Sequence, residues 1–211
     1  MVSNVVGDSM LALWLATRED PAPLNDACLA AIEISHAIRE FRGSHDGIAL
    51  PTRIGLHAGE ILLGNIGAAQ HFEYRPVGDI VNTATRIEGL NKYLGTRILV
   101  SRDLVPLAGM FLARDMGRFL LVGKSRPVHV CELVTLLAEA TSLEKDYCAS
   151  FAEGLELFRR QAWEKATETF QQTLGIREGD GPSLFYMRLC ALFSKNPPGE
   201  GWDGVVQMEK K

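Results

Sequence analysis

Apolar residues recur at three- and four-residue spacing through Ile80, Val81, Ala84, Ile87, Leu90 and Leu94, which predicts one helix from Asp79 to Gly95. Pro76 and Gly78 break the chain ahead of it. Asp79 is placed to cap it by accepting a first-turn backbone N–H, and Gly95 to end it. A second stripe, with Leu24, Ala27, Ala31, Ile34, Ile38 and Phe41 on one face, predicts an amphipathic helix over 24–41, after Pro21 and Pro23 and before Gly43. The remaining pattern is that of strands. Val2, Val5 and Val6 lead into Gly7-Asp8 and Met10 to Trp14 lead out, a hairpin signature. Arg53–Ala58 and Ile61–Ile66 are nearly continuous apolar runs joined at Gly59-Glu60, as expected of a central strand pair. Thr96–Ser101 predicts a short strand and 101–108 a short helix. Residues 111–122 and 128–134 predict a final strand pair around Lys124–Pro127. This order of elements implies an α+β fold with helices on one face of a sheet.

The pattern changes near 136–142. Beyond it, helical periodicity covers Glu144–Arg160, Trp163–Gly175 and Pro182–Ser194. Gly154, Ala166 and Phe170 fall at the spacing of the tetratricopeptide repeat, which this segment resembles in part; Ser150 and Glu153 occupy the repeat's early Trp and Leu positions. About three such repeats are needed to bury a continuous core, so the segment is expected to pack on the preceding domain or on a protein partner. Trp202 reads as an anchor within a terminal loop. The division expected is a domain over 1–137 and a helical segment over 142–211.

Composition narrows the class. With 211 residues, 46% hydrophobic and 23% charged, the chain suits an ordinary core-forming protein of one or two domains. A net charge of -4 gives no nucleic-acid footprint. Cys28, Cys131, Cys148 and Cys190 lack C-x-x-C spacing and read as reduced thiols, consistent with a cytoplasmic protein or the cytoplasmic part of a membrane-anchored one. No apolar run approaches the roughly 20 residues of a membrane span, and no signal peptide is present.

Candidate chemistry lies on the predicted helix 79–95. Asn82 and Arg86 are four apart and project together off the apolar stripe. An Arg fork suits phosphate, and an amide gives or takes a hydrogen bond. His57, alone in a strand, reads as structural, and His36 and Glu40 as surface residues.

The stretch G-D-x-V-N-x-A-x-R, followed by E-G-L-N-K, resembles the signature helix of the class III nucleotidyl cyclases. Two further stretches match that family in order: V-V-G-D-S-M-L-A-L-W over 5–14 and R-I-G-L-H-A-G-E-I-L-L-G-N-I-G over 53–67. The resemblance implies a ferredoxin-like cyclase sheet and a head-to-tail homodimer. ATP would be converted to cyclic AMP and pyrophosphate, with Mg2+ (or Mn2+) on the phosphates. It implies that Arg86 stabilises the α-phosphate, that Asn82 positions the ribose, and that Asp8 holds metal for the opposite protomer.

Several positions depart from the family pattern. The base-reading lysine position is Asn4 and its partner position is Arg75. The phosphate-contacting lysine position before Gly123 is Val122, with Lys124 close by. The family's other metal Asp belongs to a D-I-x-G-F-T-like strand that would precede Met1. The expectation is therefore a sheet without its first strand and little or no cyclase activity from this chain alone. GTP as substrate, and a non-catalytic regulatory or dimerisation module, are the alternative readings.

Overall fold

Five strands form a mixed sheet in the order β3-β6-β8-β7-β9, in a computed structural model that describes residues 2–17, 20, 22–44, 51–68, 71–104 and 109–208. The strands are β3 (Ile54–Leu56), β6 (Ile98–Ser101), β7 (Phe111–Leu120), β8 (Val128–Leu136) and β9 (Val205–Gln207). β3 runs parallel to β6 and β9 parallel to β7, while β8 is antiparallel to both β6 and β7. Two hairpins stand apart from this sheet: β1 (Val2–Val6) with β2 (Ser9–Ala12), and β4 (Leu62–Ala68) with β5 (His71–Val77).

Alternation along the strands assigns the two faces. Ile98, Val100, Cys131 and Leu133 pack with Cys28, Ala31 and Ile32 of α1 (Ala22–Ser44). Leu99, Val130, Met116 and Phe119 point the other way, onto Ile87, Leu90 and Leu94 of α2 (Asp79–Leu94). That second core continues without interruption into α3 (Ser142–Arg159), α4 (Trp163–Ile176) and α5 (Gly181–Phe193) through Phe151, Leu155, Phe158, Phe170 and Tyr186. The α+β class is as expected, but helices cover both faces of the sheet.

The C-terminal segment is part of the same core. Phe151 meets Phe170 and Ser150 bonds Thr173, so α3 and α4 run antiparallel. Any Cβ at residue 154 would lie 2.7 Å from the Phe170 ring, which accounts for glycine there. Trp202 packs beside Phe158, Trp163 and Phe193, and its indole N–H donates to the Val205 carbonyl, the anchoring expected of it.

Arg114 on β7 ties sheet to helices. Its side chain is fully buried and bonds Glu132 on β8 and both carboxylate oxygens of Asp180. Asp180 in turn caps α5 through the Ser183 N–H. The guanidinium stacks over the Tyr147 and Phe151 rings.

Other local expectations are revised. β3 and β4 do not pair through Gly59-Glu60; β3 joins β6, and β4 joins β5, a strand the sequence pattern did not announce. Gly43 lies inside α1 and Phe41 is exposed. Gly78, not Asp79, is the N-cap of α2, and no side chain caps that end. The predicted helix at 101–108 is a 3-10 turn over Arg102–Leu104; residues 105–108 lie outside the described ones. All four cysteines are free and buried. No helix among the described residues is long and apolar enough to cross a membrane.

Candidate nucleotide-binding site

The site is set by how α2 lies on β3. A Cβ at residue 55 would collide with backbone atoms of Glu88 and Ala84, so glycine lets the helix touch the strand. Asn91, buried in α2, donates to the carbonyls of Ile54 and Glu88, both at 3.0 Å, and accepts from the Thr96 hydroxyl at 2.8 Å. Arg53 pairs with Glu88 at 2.9 Å. These contacts fix the helix along the strand. Its N-terminal end then stands beside residues 57–60, which follow β3.

The turn between β7 and β8 closes over that end. Gly123 adopts φ 71°, a conformation few side chains accept, and the Lys124 N–H returns to the Leu121 carbonyl at 3.0 Å. The Arg86 guanidinium lies against this glycine, with Nη2 3.2 Å from where a Cβ would stand. Its Nη1 is buried and has no acceptor among the described residues. Lys124 Nζ pairs with the Asp79 carboxylate on the first residue of α2. Only 11% of the Lys124 side chain is exposed, against 76% for Asp79. The cation is therefore held by the fold, while its carboxylate partner stands in solvent.

His57, Asp79, Thr83, Lys124 and Arg126 line a cavity of about 190 Å³. Thr83 is fixed by donating its hydroxyl to the Asp79 carbonyl at 2.8 Å. His57 has a buried Nδ1 without a partner among the described residues. Burial pulls the His57 pKa down, Asp103 and Asp79 pull it up, Lys124 pulls it down, and the net is below the ordinary value. Asp79 is held below the usual carboxylate range, first by the Lys124 hydrogen bond. Lys124 and Arg126 bring donors to this cavity, and beside it the buried Arg86 Nη1 has no acceptor among the described residues; an anion with several oxygens would supply one.

Of the residues expected from sequence, Lys124 lines this cavity and Arg86 lies against the adjoining Gly123, so both stand at the 121–127 turn. Asn82 is exposed, one helical turn before Arg86. Asp8 is exposed at the tip of the β1–β2 hairpin, and Asn4 sits half-buried on β1 opposite Leu11. Arg75 lies on β5 opposite Gly64. Among the described residues, no hydrogen bond or ion pair joins Asp8 or Asn4 to the Arg86–Lys124 end. No three His, Cys, Asp or Glu side chains among the described residues gather as metal ligands, so these residues do not compose a metal centre by themselves.

His57 and Thr83 were not singled out as ligand-facing by the sequence. A lone strand histidine and a helical threonine carry no spacing signal. Asp79, expected as a cap, instead pairs with Lys124.

The family described as "Adenylate and Guanylate cyclase catalytic domain" matches residues 3–133, more than half of the chain. The chain belongs to this family. Among curated proteins, it is 32% identical over 142 residues to "Adenylate cyclase 1" of Rhizobium meliloti (strain 1021), covering 65% of this chain and 21% of that one. It is 27% identical over 202 residues to "Adenylate cyclase, terminal-differentiation specific" of Dictyostelium discoideum, covering 90% and 9%. The chain thus spans about a fifth and about a tenth of these relatives' lengths.

Two solved structures share the cyclase fold at 24% identity. The adenylyl cyclase CyaB from P. aeruginosa has a TM-score of 0.51 over 66% of this chain and 74% of that one. The guanylate cyclase domain of RhGC from Catenaria anguillulae, in complex with GTP, has a TM-score of 0.52 over 64% and 72%. The family includes both adenylate and guanylate cyclases, and its members generally use a divalent metal.

Proposed function

We propose that this chain is a nucleotidyl cyclase catalytic segment of cytoplasmic signalling that binds ATP, with GTP as the alternative substrate. The observation that carries the reading is the meeting of Arg86 and Lys124 at one glycine turn, beside the N-terminal end of α2. That end adds unpaired backbone donors and a positive partial charge, which favour phosphate. In the reaction, the ribose 3′-oxygen loses its proton and bonds to the α-phosphorus. The bond from that phosphorus to the bridging oxygen breaks, and pyrophosphate leaves. Arg86 is assigned the charge that grows on the α-phosphoryl oxygens, Lys124 the adjoining phosphates, and Asn82 the ribose. Donors preset for such charge are each worth about 10²–10³ in rate.

Asn4 and Arg75 are assigned to the base, and Asp8 to a divalent ion, Mg2+ or Mn2+, in the opposite member of a head-to-tail homodimer. The exposed apolar side chains Val5, Met10 and Leu62 on the two free-standing hairpins support an association surface there. Residues 1–137 are assigned the cyclase role. The tetratricopeptide-like stretch 142–211, with its exposed Leu184 and Leu192, is assigned any further protein partner.

Titration of the purified chain with ATP and GTP tests the binding. Saturable binding that Arg86→Gln weakens about tenfold or more supports the site. Equal affinity in the variant would remove it. A second reading, a cyclase-like regulatory module, is favoured by Asn4, Arg75 and Val122, which stand where the family pattern has other residues. It predicts that mixing the chain with an active homologue changes that homologue's rate.

A further inference from the structure

At the far end of α2 lies a second, larger cavity of about 350 Å³ that the cyclase reading leaves unused. Four cations line it: Arg39 from α1, Arg53 before β3, Lys92 in the last turn of α2, and Arg97 in the turn into β6. The sequence scatters them over nearly sixty positions, and the fold gathers them. Arg53 is paired with Glu88 at 2.9 Å. Among the described residues, the other three side chains have no hydrogen-bond or ion-pair partner. Between the cations, Ile38, Ile54 and Ile98 supply apolar wall.

The net charge of the chain is -4, so an excess of positive charge on one concave surface is a local feature and not the overall trend. Exposed cations on a convex surface are usually solvated and mixed with carboxylates. Here they rim a concavity whose size falls in the range of small-molecule sites, about 300–1,000 Å³. The carbonyls at the end of α2 oppose an anion. That opposition is blunted because Asn91 O already accepts from the N–H groups of Gly95 and Thr96.

We propose that this cleft binds a small organic polyanion, one carrying two or more phosphoryl or carboxylate groups around a short carbon frame. Three Arg forks read planar or tetrahedral oxygen sets, Lys92 adds a point charge, and the isoleucines cover the frame. The site is separate from the nucleotide cavity. Asp79 and Lys92 stand at opposite ends of α2, about 20 Å apart along its axis at 1.5 Å per residue.

The test uses the whole chain with two probes, 2,3-bisphosphoglycerate and citrate, in calorimetric titration and in amide hydrogen exchange. The expected result is saturable binding, weakened by added salt, with slower exchange in peptides spanning 51–54 and 91–98. Preference for one probe decides between phosphoryl and carboxylate chemistry. Arg39→Gln with Arg97→Gln should lower affinity about tenfold or more while leaving the thermal midpoint unchanged. Arg39→Lys with Arg97→Lys, which keeps the charge and loses the forks, should fall between the Gln double variant and the unaltered chain, and Lys124→Gln should leave this binding intact. No binding by either probe at millimolar concentration would overturn the proposal. So would protection confined to peptides around 79–83 and 124–128, or equal affinity in the Gln double variant.

Discussion

Lys124 and Asp79 form a pair with unequal roles. The lysine is enclosed and fixed, and the carboxylate is open to water. A triphosphate arriving at Lys124 must displace or share that carboxylate. Lys124→Gln is therefore expected to weaken ATP binding about tenfold or more, as for a lost charge-assisted hydrogen bond. Asp79→Asn removes the competitor and is expected to tighten binding about two- to fivefold, the scale of an exposed pair. Fluorescence titration with a labelled nucleotide reads both. Weaker binding by Asp79→Asn would instead make Asp79 part of the binding set. Arg114 illustrates a different residue-scale logic. Its replacement by Met leaves Glu132 buried without its cation and leaves Asp180 only the longer contact to Arg177 at 3.6 Å, so the expected loss is about 3–5 kcal/mol in urea unfolding.

At the scale of elements, α2 on β3 is the joint on which the site depends. Gly55→Ala drives a methyl into the Glu88 backbone, and backbone cannot step aside as a flexible side chain can. The expected cost is about 1–3 kcal/mol, the range for overpacking, together with weaker nucleotide binding because the Asp79 end shifts. A thermal melt and an ATP titration on one sample check both halves. The stripe from Ile80 to Leu94 announced α2 because one buried face writes a helical period into sequence. The C-terminal helices were legible for the same reason, and β7 and β8 were legible as a strand pair around the turn at 124–127. β5 was not, since Pro76 reads as a break; in a two-stranded hairpin opposite Leu63 it is tolerated. β9 has three residues, and its strand state is conferred by the edge of β7. The Arg86–Lys124 meeting was half legible. Each residue stood in a recognisable motif, but the Gly123 turn that joins them is a tertiary fact. Arg114 and Asp180 lie 66 positions apart, and no local pattern could pair them.

At the scale of the molecule, the sheet and the C-terminal helices stand or fall together. Asp115 is one link: it accepts from the Gly117 N–H and pairs with His129, Arg159 of α3 and Arg102. Burial pushes its pKa up, but the His129 hydrogen bond, the Gly117 N–H and the neighbouring charges hold it well below the usual carboxylate range. A carboxylate depressed in the folded state stabilises fully above its unfolded pKa, about 3.9, and loses that contribution as pH falls toward the folded value. Stability measured by denaturant from pH 6 downward should therefore drop below about pH 4, and Asp115→Asn should flatten that drop. The larger test of unity is truncation. Met116, Phe119, Leu121 and Val130 are all at most 3% exposed, and they share one core with Phe151, Leu155, Phe170 and Tyr186. Ending the chain at Leu137 uncovers this face of the sheet, removes β9 from the β7 edge and takes Asp180 from Arg114. Exposing such side chains costs about 1.5–3 kcal/mol each, against the about 5–15 kcal/mol that holds a domain folded. Residues 1–137 by themselves are expected to be aggregated or to melt without a cooperative transition, while the full chain unfolds in one step. A soluble, cooperatively folding 1–137 fragment would show that the helices are an accessory, and that the cyclase sheet carries its own stability.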